Sequence, residues 1–397
     1  MPGAQLKLPY FRLSGFYLLY FGTLGVLMPY WGLYLRELGF DGTAIGQLVA
    51  LLLGTKVVAP YIWGMLADAS GRLIGVIRAA TLLGALCFTG VLITESFWGL
   101  ALVMVAFSFF WNAALPQFEA LTLNHLGRDT DRYSSIRLWG SVGFIITVAG
   151  LGWAFEHHSP MLLPWVALGM FAALFGVSMT VPERTQQTAR DVAAPIGRVL
   201  RRPEVIAFFV VFFLIQASHG PYYAFFTLYM EDMGWRRAAI GQLWALGVVA
   251  EIVAFLLMPR LMRNFRPRQL LILALAATTL RWLVTALFAQ YTTVVLMAQT
   301  LHLFSFAMSH AVAMYYVHRF FTGSHQGRGQ ALYSALTFGA GGAIGSLGAG
   351  YLWGFGGEVL FFASAAAAAL GLIVALRAIP HDPARVAVRA VAPGPPS

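Results

Sequence analysis

Long apolar stretches recur along the whole chain, separated by short segments that carry glycine, proline and charged residues. Each stretch is close to the roughly 20 residues that a helix needs to cross a bilayer. The alternating polar positions of membrane β-strands are not seen. We therefore predict an all-α membrane protein with twelve transmembrane helices. The predicted spans are residues 10–35, 44–66, 73–93, 97–124, 135–155, 160–181, 204–230, 238–262, 269–289, 291–318, 329–354 and 357–379.

An internal repeat divides these helices into two sets of six. The pentapeptide AIGQL occurs at 44–48 and again at 239–243, 195 residues later. The stretches that end in it, LYLRELGFDGTAIGQL and LYMEDMGWRRAAIGQL, align without a gap. Because this offset is about half of the 397 residues, we interpret the chain as two parallel copies of one unit. The predicted organisation is an N-terminal bundle at 1–181, a cytoplasmic linker at 182–203, a C-terminal bundle at 204–380 and a disordered tail at 381–397.

Composition and charge agree with a bilayer as the solvent. Hydrophobic residues make up 59% of the chain and charged residues only 11%, against about 25% charged residues in soluble domains. The net charge is +10, and only Arg36, Arg236 and Arg237 fall in loops on one side of the predicted topology. Because Lys and Arg are retained in the cytoplasm, both termini are predicted to be cytoplasmic, in a bacterial inner membrane. The basic charge therefore indicates lipid headgroups as a partner and no nucleic acid.

The turn after the second span carries a motif. WGMLADASGR contains Gly64, Asp68, Gly71 and Arg72 in the spacing G-x-L-a-D-x-x-G-R. A glycine permits close helix approach, and an aspartate can accept hydrogen bonds from helix N-termini and from Arg72 across a gate. The chain here resembles the loop between helices two and three of the major facilitator superfamily. The repeat-related stretch PRLMRNFRPR lacks the aspartate, so the motif is intact only in the first half.

Further stretches resemble the 3-phenylpropionic acid transporters, a family in the clan of the nucleoside and lactose proton symporters. They are LMPYWGLYL, RLWGSVGF, QASHGPYYAF, LWALGVVAEI, RWLV and HLFSFAMSHAVAMYY, and the resemblance covers nearly the whole chain. It implies two six-helix bundles around a central cavity that operate by alternating access. It also implies proton-coupled symport of a small aromatic monocarboxylate such as 3-phenylpropionate. None of these stretches is a catalytic signature.

Ionisable residues inside the predicted spans are the first candidates for the site. A charge near the bilayer centre costs at least roughly 2.5–3.5 kcal/mol, which favours a transport pathway or a paired site. Glu251, Arg281 and His302 lie near the midplane by position in their spans, and a carboxylate beside a titratable histidine suits proton coupling. Arg281 would be the counter-ion of Glu251 or of an arriving anion; a purely structural polar cluster is the alternative. The predicted proton-coupling residues are Glu251, His302, His310, Glu119 and Arg137.

Glu119 and Arg137 are 18 residues apart across one short turn, so they can meet between helices four and five. A similar spacing in lactose-type symporters implies a substrate and coupling pair, and a structural salt bridge is an equal alternative. Gln216, His219 and Tyr223 share one face of helix seven, beside a proline that either opens the backbone to a cavity or only bends the helix. The predicted substrate-binding residues are Arg281, Lys56, His219, Gln216, Tyr223 and Trp31.

Several other function classes remain as alternatives. A nucleoside or sugar proton symporter, or an exporter of amphipathic compounds, fits the same fold. A membrane enzyme or a sensor that does not transport is a rival from another class. The glycine-rich stretch FGAGGAIGSLGAG lacks the Lys-Ser or Lys-Thr of a phosphate loop and has the spacing of helix packing. We therefore expect a monomeric transporter that is not an enzyme and has no cofactor and no metal.

Overall fold

A computed structural model describes residues 8–127, 129–184 and 196–380. Within these ranges twelve helical stretches run in alternating directions, and we label them α1–α12. Their bounds are Tyr10–Glu37, Gly42–Ser70, Leu73–Leu92, Phe97–Leu126, Thr130–His157, Pro160–Thr180, Pro203–Asp232, Arg237–Asn264, Pro267–Phe288, Thr292–Phe320, 326–352 and Gly357–Ala378. A single further turn of helix, Gly197–Leu200, precedes α7.

The predicted spans are confirmed, and their boundaries differ from the observed helices by at most five residues. Eleven of the described helices are long and apolar enough to cross a membrane. The exception is α11, in which eight residues are glycine and lower the mean hydropathy. The described residues form no strand, in agreement with the predicted all-α class. The centre of the predicted linker, 185–195, and the predicted tail, 381–397, lie outside the described residues.

Three helices depart from regular α-geometry near the middle of their length. α2 tightens into a 3₁₀ turn at Thr55–Val57, whereas α10 and α11 widen into π-helical segments at Leu303–Met308 and Ala335–Gly341. The 3₁₀ turn of α2 packs against the π-helical segment of α11. Segments of this kind often occur at functional sites. Irregular backbone at membrane depth is tolerated where it is buried in protein or lines a cavity.

The helices form two bundles, α1–α6 and α7–α12, and glycines set how closely these bundles approach. α2 crosses α11, and α5 crosses α8. A Cβ atom added to Gly46 would lie 2.6 Å from the Cα of Gly350, and one added to Gly241 would lie 3.1 Å from the Cα of Gly152. Gly46 and Gly241 are the glycines of the two AIGQL copies. The repeat therefore marks two places where a helix of one bundle crosses a helix of the other.

Ion pairs join the bundles on one face of the molecule, which we call the closed face. It lies opposite the face where the described chain begins and ends, which we call the termini face. Among the described residues, the hydrogen bonds and ion pairs found between the bundles are on the closed face. The polar contacts found between the described parts of the bundles therefore lie at the closed face. The ion pairs between the bundles are Arg36–Glu231, Arg36–Asp232, Arg236–Glu156 and Arg237–Glu37, and Arg237 also pairs with Glu231 of its own bundle.

Candidate transport site

Arg281 of α9 is fully buried, and neutral acceptors hold its guanidinium group. The terminal nitrogens donate to His302 Nδ1 at 2.8 Å, to Ser305 Oγ at 3.0 Å and to Gln299 Oε1 at 3.2 Å, all on α10. The Nε atom has no hydrogen-bond partner among the described residues. No described carboxylate lies within ion-pair distance of the guanidinium group, whose positive charge is therefore not neutralised by direct contact.

Glu251 of α8 reaches Arg281 through the ring of His302. The Oε1 atom of Glu251 lies 2.6 Å from His302 Nε2, while His302 Nδ1 faces the guanidinium group. A guanidinium group only donates, so Nδ1 carries no proton and Nε2 carries the proton shared with Glu251. The ring is consequently neutral. We call Glu251, His302 and Arg281 the triad, and Glu251 is its member that can take up a further proton. The side chain of Glu251 is 15% exposed and that of His302 is 7% exposed, so the carboxylate is also the more accessible group.

Two aromatic rings pack against the guanidinium group of Arg281. The Cζ atom of Arg281 lies 4.6 Å from the centre of the Tyr222 ring and 4.3 Å from that of Trp282. These distances are within the range of a cation–π interaction, which stabilises a desolvated cation. The Tyr222 hydroxyl donates to Gln299, and its ring lies 4.3 Å from that of Trp244. The triad is thus enclosed by an aromatic wall built from α7, α8 and α9.

His219 of α7 belongs to the same cluster. Its Nδ1 atom lies 2.8 Å from the carbonyl oxygen of Ile215, and its Nε2 atom lies 3.3 Å from Ser305 Oγ. Because a carbonyl only accepts, Nδ1 of His219 is the donor in the first of these bonds. Gln216 lies one turn earlier and packs against Gly341 and Gly342 of α11. Gln216 and His219, which are predicted to share one face of helix seven, therefore contact different parts of the structure. His219 lies beside the triad, whereas Gln216 packs against α11.

Tyr223 and His310 lie at the edge of the cluster. The ring of Tyr223 is 5.9 Å from that of His219. His310 Nδ1 lies 3.3 Å from the hydroxyl of Tyr333, and Phe306 stands between the rings of His310 and His302. His310 therefore does not contact Glu251 directly.

Glu119 and Arg137 of the first bundle face each other but make no direct ion pair among the described contacts. Arg137 is close enough to Glu119 and to Glu251 to act on both electrostatically. Its Cζ atom lies 3.8 Å from the centre of the Phe21 ring and 5.7 Å from that of Tyr17. Unlike Arg281, Arg137 is only partly buried. It is thus an accessible cation over an aromatic surface, across from the triad.

Lys56 and Trp31 lie apart from the triad. Lys56 is part of the 3₁₀ turn of α2 beside Gly339, and its side chain makes no hydrogen bond or ion pair with another described residue. Trp31 is 1% exposed and packs between Tyr34 and Phe88 in the first bundle, with ring distances of 5.1 and 6.1 Å. The structure therefore places Trp31 in a packed core.

The predicted gating loop lies at the termini face. Gly71 ends α2 with a φ angle of +64°, which a residue with a side chain rarely adopts. Gly64 faces Gln117 of α4, 3.6 Å from the position of an added Cβ atom. Asp68 and Arg72 are both exposed, and no ion pair joins them to each other or to the second bundle among the described residues. The contacts expected across a gate are thus not made in this conformation.

The sequence pattern places Ser305 on the face of helix ten that carries His302 but gives it no role, and it does not single out Gln299 or Trp282, although each of the three contacts Arg281. A signal for two of them exists, since Gln299, His302 and Ser305 recur at every third position of α10. Among the described residues, no group of three His, Cys, Asp or Glu side chains could hold a metal ion.

Comparison with known proteins agrees with this architecture. The profile of the MFS_1 like family matches residues 10–364. The chain belongs to this family of the major facilitator superfamily. The family resemblance drawn from the motifs is thereby confirmed, and the chain is a multi-pass membrane transporter and not an enzyme.

The names of individual relatives refer to different substrates. The chain is 30% identical to the "Probable 3-phenylpropionic acid transporter" of Escherichia coli K12, over 92% of this chain and 96% of the relative. It is 28% identical to the maltose permease of Geobacillus stearothermophilus, over 87% and 89% of the two chains. The crystal structure of the nucleoside transporter NupG superimposes with a TM-score of 0.83 at 16% identity, covering 95% of this chain and all of NupG. At that identity the likeness concerns the fold alone.

Proposed function

We propose that this transporter performs proton-coupled symport of a small aromatic monocarboxylate such as 3-phenylpropionate, by alternating access. The observation that carries the proposal is the triad in which one neutral imidazole links the carboxylate of Glu251 to the guanidinium group of Arg281. It joins a proton acceptor to an anion-binding group by one hydrogen-bonded ring. The transporter would act as a monomer in a bacterial inner membrane, with both termini cytoplasmic.

In this mechanism the proton binds Glu251, the most exposed member of the triad. The neutral form of Glu251 removes the negative charge that compensates Arg281 at a distance. The cluster then has net positive charge and attracts a carboxylate. Binding of the anion and of the proton would therefore favour each other, as symport requires.

The anion would first meet Arg137, because Arg281 is fully buried in this conformation whereas Arg137 is partly exposed. Phe21 and Tyr17 beside Arg137, and Tyr222 and Tyr223 beside the triad, would contact an aromatic ring. Lys56 remains a proposed second partner for the carboxylate. These contacts support an aromatic monocarboxylate as the substrate class.

Alternating access would use the two bundle crossings. With the closed face joined by ion pairs and the termini face without polar contacts between the described parts of the bundles, the site would be reached from the termini face. Closure on that side would bring Asp68 and Arg72 of the gating loop towards the second bundle. The predicted loop residues Gly64 and Gly71 would permit that approach.

A second candidate is a sugar or nucleoside proton symporter. The likeness to a maltose permease favours it, as do the buried amides of Asn112 and Gln117 in the first bundle. A sugar needs many hydrogen-bonding groups and no arginine for its charge. Binding of uncharged substrates that survives replacement of both Arg137 and Arg281 would favour this candidate.

Uptake into proteoliposomes tests the proposed function. Labelled phenylpropionate, a nucleoside and a disaccharide are offered with and without an imposed pH gradient. Accumulation of the aromatic acid that depends on the gradient is the expected result. No uptake of any aromatic acid under either condition would contradict the proposed substrate class.

Replacement of Glu251 by Gln tests the proposed proton site. The amide keeps the size of the side chain and can still accept from His302, but it cannot take up a proton. We expect accumulation against a concentration gradient to be lost, at least about 10-fold, while exchange of substrate across the membrane persists. Accumulation driven by a pH gradient at the wild-type level would exclude Glu251 as the coupling residue.

A further inference from the structure

Ser305 lies at the centre of the buried cluster and contacts three of its ionisable side chains. Its side chain is fully buried. The Oγ atom lies 3.0 Å from Arg281 Nη1, 3.3 Å from His219 Nε2 and 3.3 Å from His302 Nδ1. A hydroxyl group can accept from one neighbour and donate to another. Ser305 can therefore connect the guanidinium group to a histidine ring.

The surrounding groups allow a hydrogen-bonded path from Arg281 to His219 through Ser305, although the Ser305 hydroxyl also lies 3.4 Å from the backbone oxygen of His302. Arg281 can only donate, so Ser305 Oγ accepts from it. His219 donates from Nδ1 to the carbonyl of Ile215, so its Nε2 atom in the neutral ring is free to accept the proton of Ser305. The result is a chain of donors from Arg281 through Ser305 to His219. This chain keeps the ring of His219 neutral, as the guanidinium group does for the ring of His302.

The π-helical segment Leu303–Met308 carries this hydroxyl group. A nearby serine offers a comparison within the same helix. Ser309 is also buried, but its hydroxyl bonds only to the backbone oxygens of Ser305 and Phe306 among the described residues, at 2.8 and 2.9 Å. Ser305 also reaches the backbone oxygen of His302 at 3.4 Å, but unlike Ser309 its hydroxyl contacts the side chains of Arg281 and His219 as well.

We propose that Ser305 is a positioning residue for coupling, which holds the guanidinium group of Arg281 against α10 and so keeps it out of direct contact with Glu251. The inference rests on the proposed proton-coupled function. Without the hydroxyl group, Arg281 loses one of three acceptors in a site where its Nε atom already has none among the described residues. The guanidinium group then gains by moving towards the carboxylate. The titratable or charged groups near Glu251 are Arg137, His219, Tyr222, Tyr223, Arg281 and His302.

The pH profile of uptake tests this positioning role. In Ser305→Ala, a cation closer to Glu251 favours the charged carboxylate, so a lower pH is needed to load the proton. We expect the midpoint of uptake against pH to move to lower pH by about one unit. Ser305→Thr, which keeps the hydroxyl group, should restore the wild-type midpoint, and Ser309→Ala is the matched control. A wild-type profile in Ser305→Ala, or an equal shift in Ser309→Ala, would overturn the proposal.

A second measurement does not depend on transport. ¹⁵N NMR of histidine-labelled protein reports which ring nitrogen carries the proton. We expect His302 protonated at Nε2 and His219 at Nδ1 in the wild type, with a change at His219 in Ser305→Ala and none in Ser309→Ala. If no aromatic acid is transported but these signals behave as expected, the proposed function fails and the positioning role stands. If transport is proton-coupled but both serine variants leave the rings unchanged, only the positioning role fails.

Discussion

At the scale of single residues, the site depends on which side chains donate and which accept hydrogen bonds. His302 must accept from Arg281 and donate to Glu251 at the same time. Few side chains can offer an acceptor to Arg281 and a donor to Glu251 at the same time. Glutamine does, with an amide oxygen and an amide nitrogen, whereas leucine fills a similar volume with neither.

Replacement of His302 by Gln or by Leu therefore separates hydrogen bonding from packing. We expect His302→Leu to leave Glu251 without this partner and Arg281 with two acceptors, which costs about 1–3 kcal/mol for each buried group that stays unsatisfied. His302→Gln should keep most of the stability and part of the coupling. Thermal unfolding and uptake with an imposed pH gradient measure the two effects. Equal behaviour of the two variants would mean that the ring acts only by its volume.

The sequence led to the triad more readily than to the groups that hold it. Glu251, Arg281 and His302 are conspicuous because a charge in an apolar span is costly. Ser305 and Gln299 are ordinary polar residues of a helix, and only the contacts with Arg281 distinguish them. Trp31 is predicted as an aromatic substrate-binding residue, yet it packs within the first bundle. Residue type reveals buried charge, but it does not reveal which neutral neighbours compensate that charge.

At the scale of helices, hydropathy predicted the spans but not their internal irregularities. A span needs only length and apolar composition, so the twelve segments were readable. The 3₁₀ turn at Thr55–Val57 and the two π-helical segments depend on tertiary contacts, such as that of Gly339 with Val57. Periodicity analysis assumes about 100° per residue throughout a helix. It therefore cannot locate a segment in which the helix widens or tightens.

The glycines of the two AIGQL copies give a prediction at this scale. A Cβ atom at Gly46 would lie 2.6 Å from Gly350 Cα, and one at Gly241 would lie 2.5 Å from the carbonyl oxygen of Val148. Gly46→Ala and Gly241→Ala should therefore push the bundles apart at the closed face. Labelling is measured at Gln47→Cys in a Cys87→Ala background, which has no other cysteine. We expect this cysteine to react several-fold faster with a water-soluble maleimide when Gly46→Ala or Gly241→Ala is added than when neither is present.

Gly348→Ala is the matched control for these variants, because an added Cβ atom there meets nothing within 4 Å. It adds the same methyl group to a helix that takes part in a bundle crossing without filling that crossing, so it controls for the effect of a glycine-to-alanine change on the helix itself. Unchanged labelling in Gly46→Ala and Gly241→Ala would mean that the helices adjust locally without opening the closed face.

At the scale of the whole molecule, duplication explains the symmetry of the scaffold, and departures from that symmetry mark the site. Gly46 and Gly241 occupy equivalent positions and make equivalent crossings. Lys56 and Glu251 also occupy equivalent positions, eight residues after each AIGQL. Glu251 belongs to the triad, whereas Lys56 lies in a 3₁₀ turn. The shared glycines thus lie at crossings between the bundles, and the proposed proton site lies at a position where the two copies differ.

The ion pairs of the closed face lead to a prediction about the whole cycle. Arg36 bridges Glu231 and Asp232, so a single change removes two contacts between the bundles. One partly exposed pair contributes only about 0.2–1 kcal/mol, but the two conformations of a transporter differ by a few kcal/mol at most. Arg36→Gln should therefore increase the population that is open at the closed face, as measured by maleimide labelling of Gln47→Cys in the Cys87→Ala background.

High salt should reduce the difference between Arg36→Gln and the wild type, because it screens the same ion pairs. An exchange of charges in Arg36→Asp with Asp232→Arg should restore part of the closure, since the new arginine can meet the new carboxylate across the same gap. Labelling that ignores both the single change and the exchange would assign closure to the glycine crossings alone.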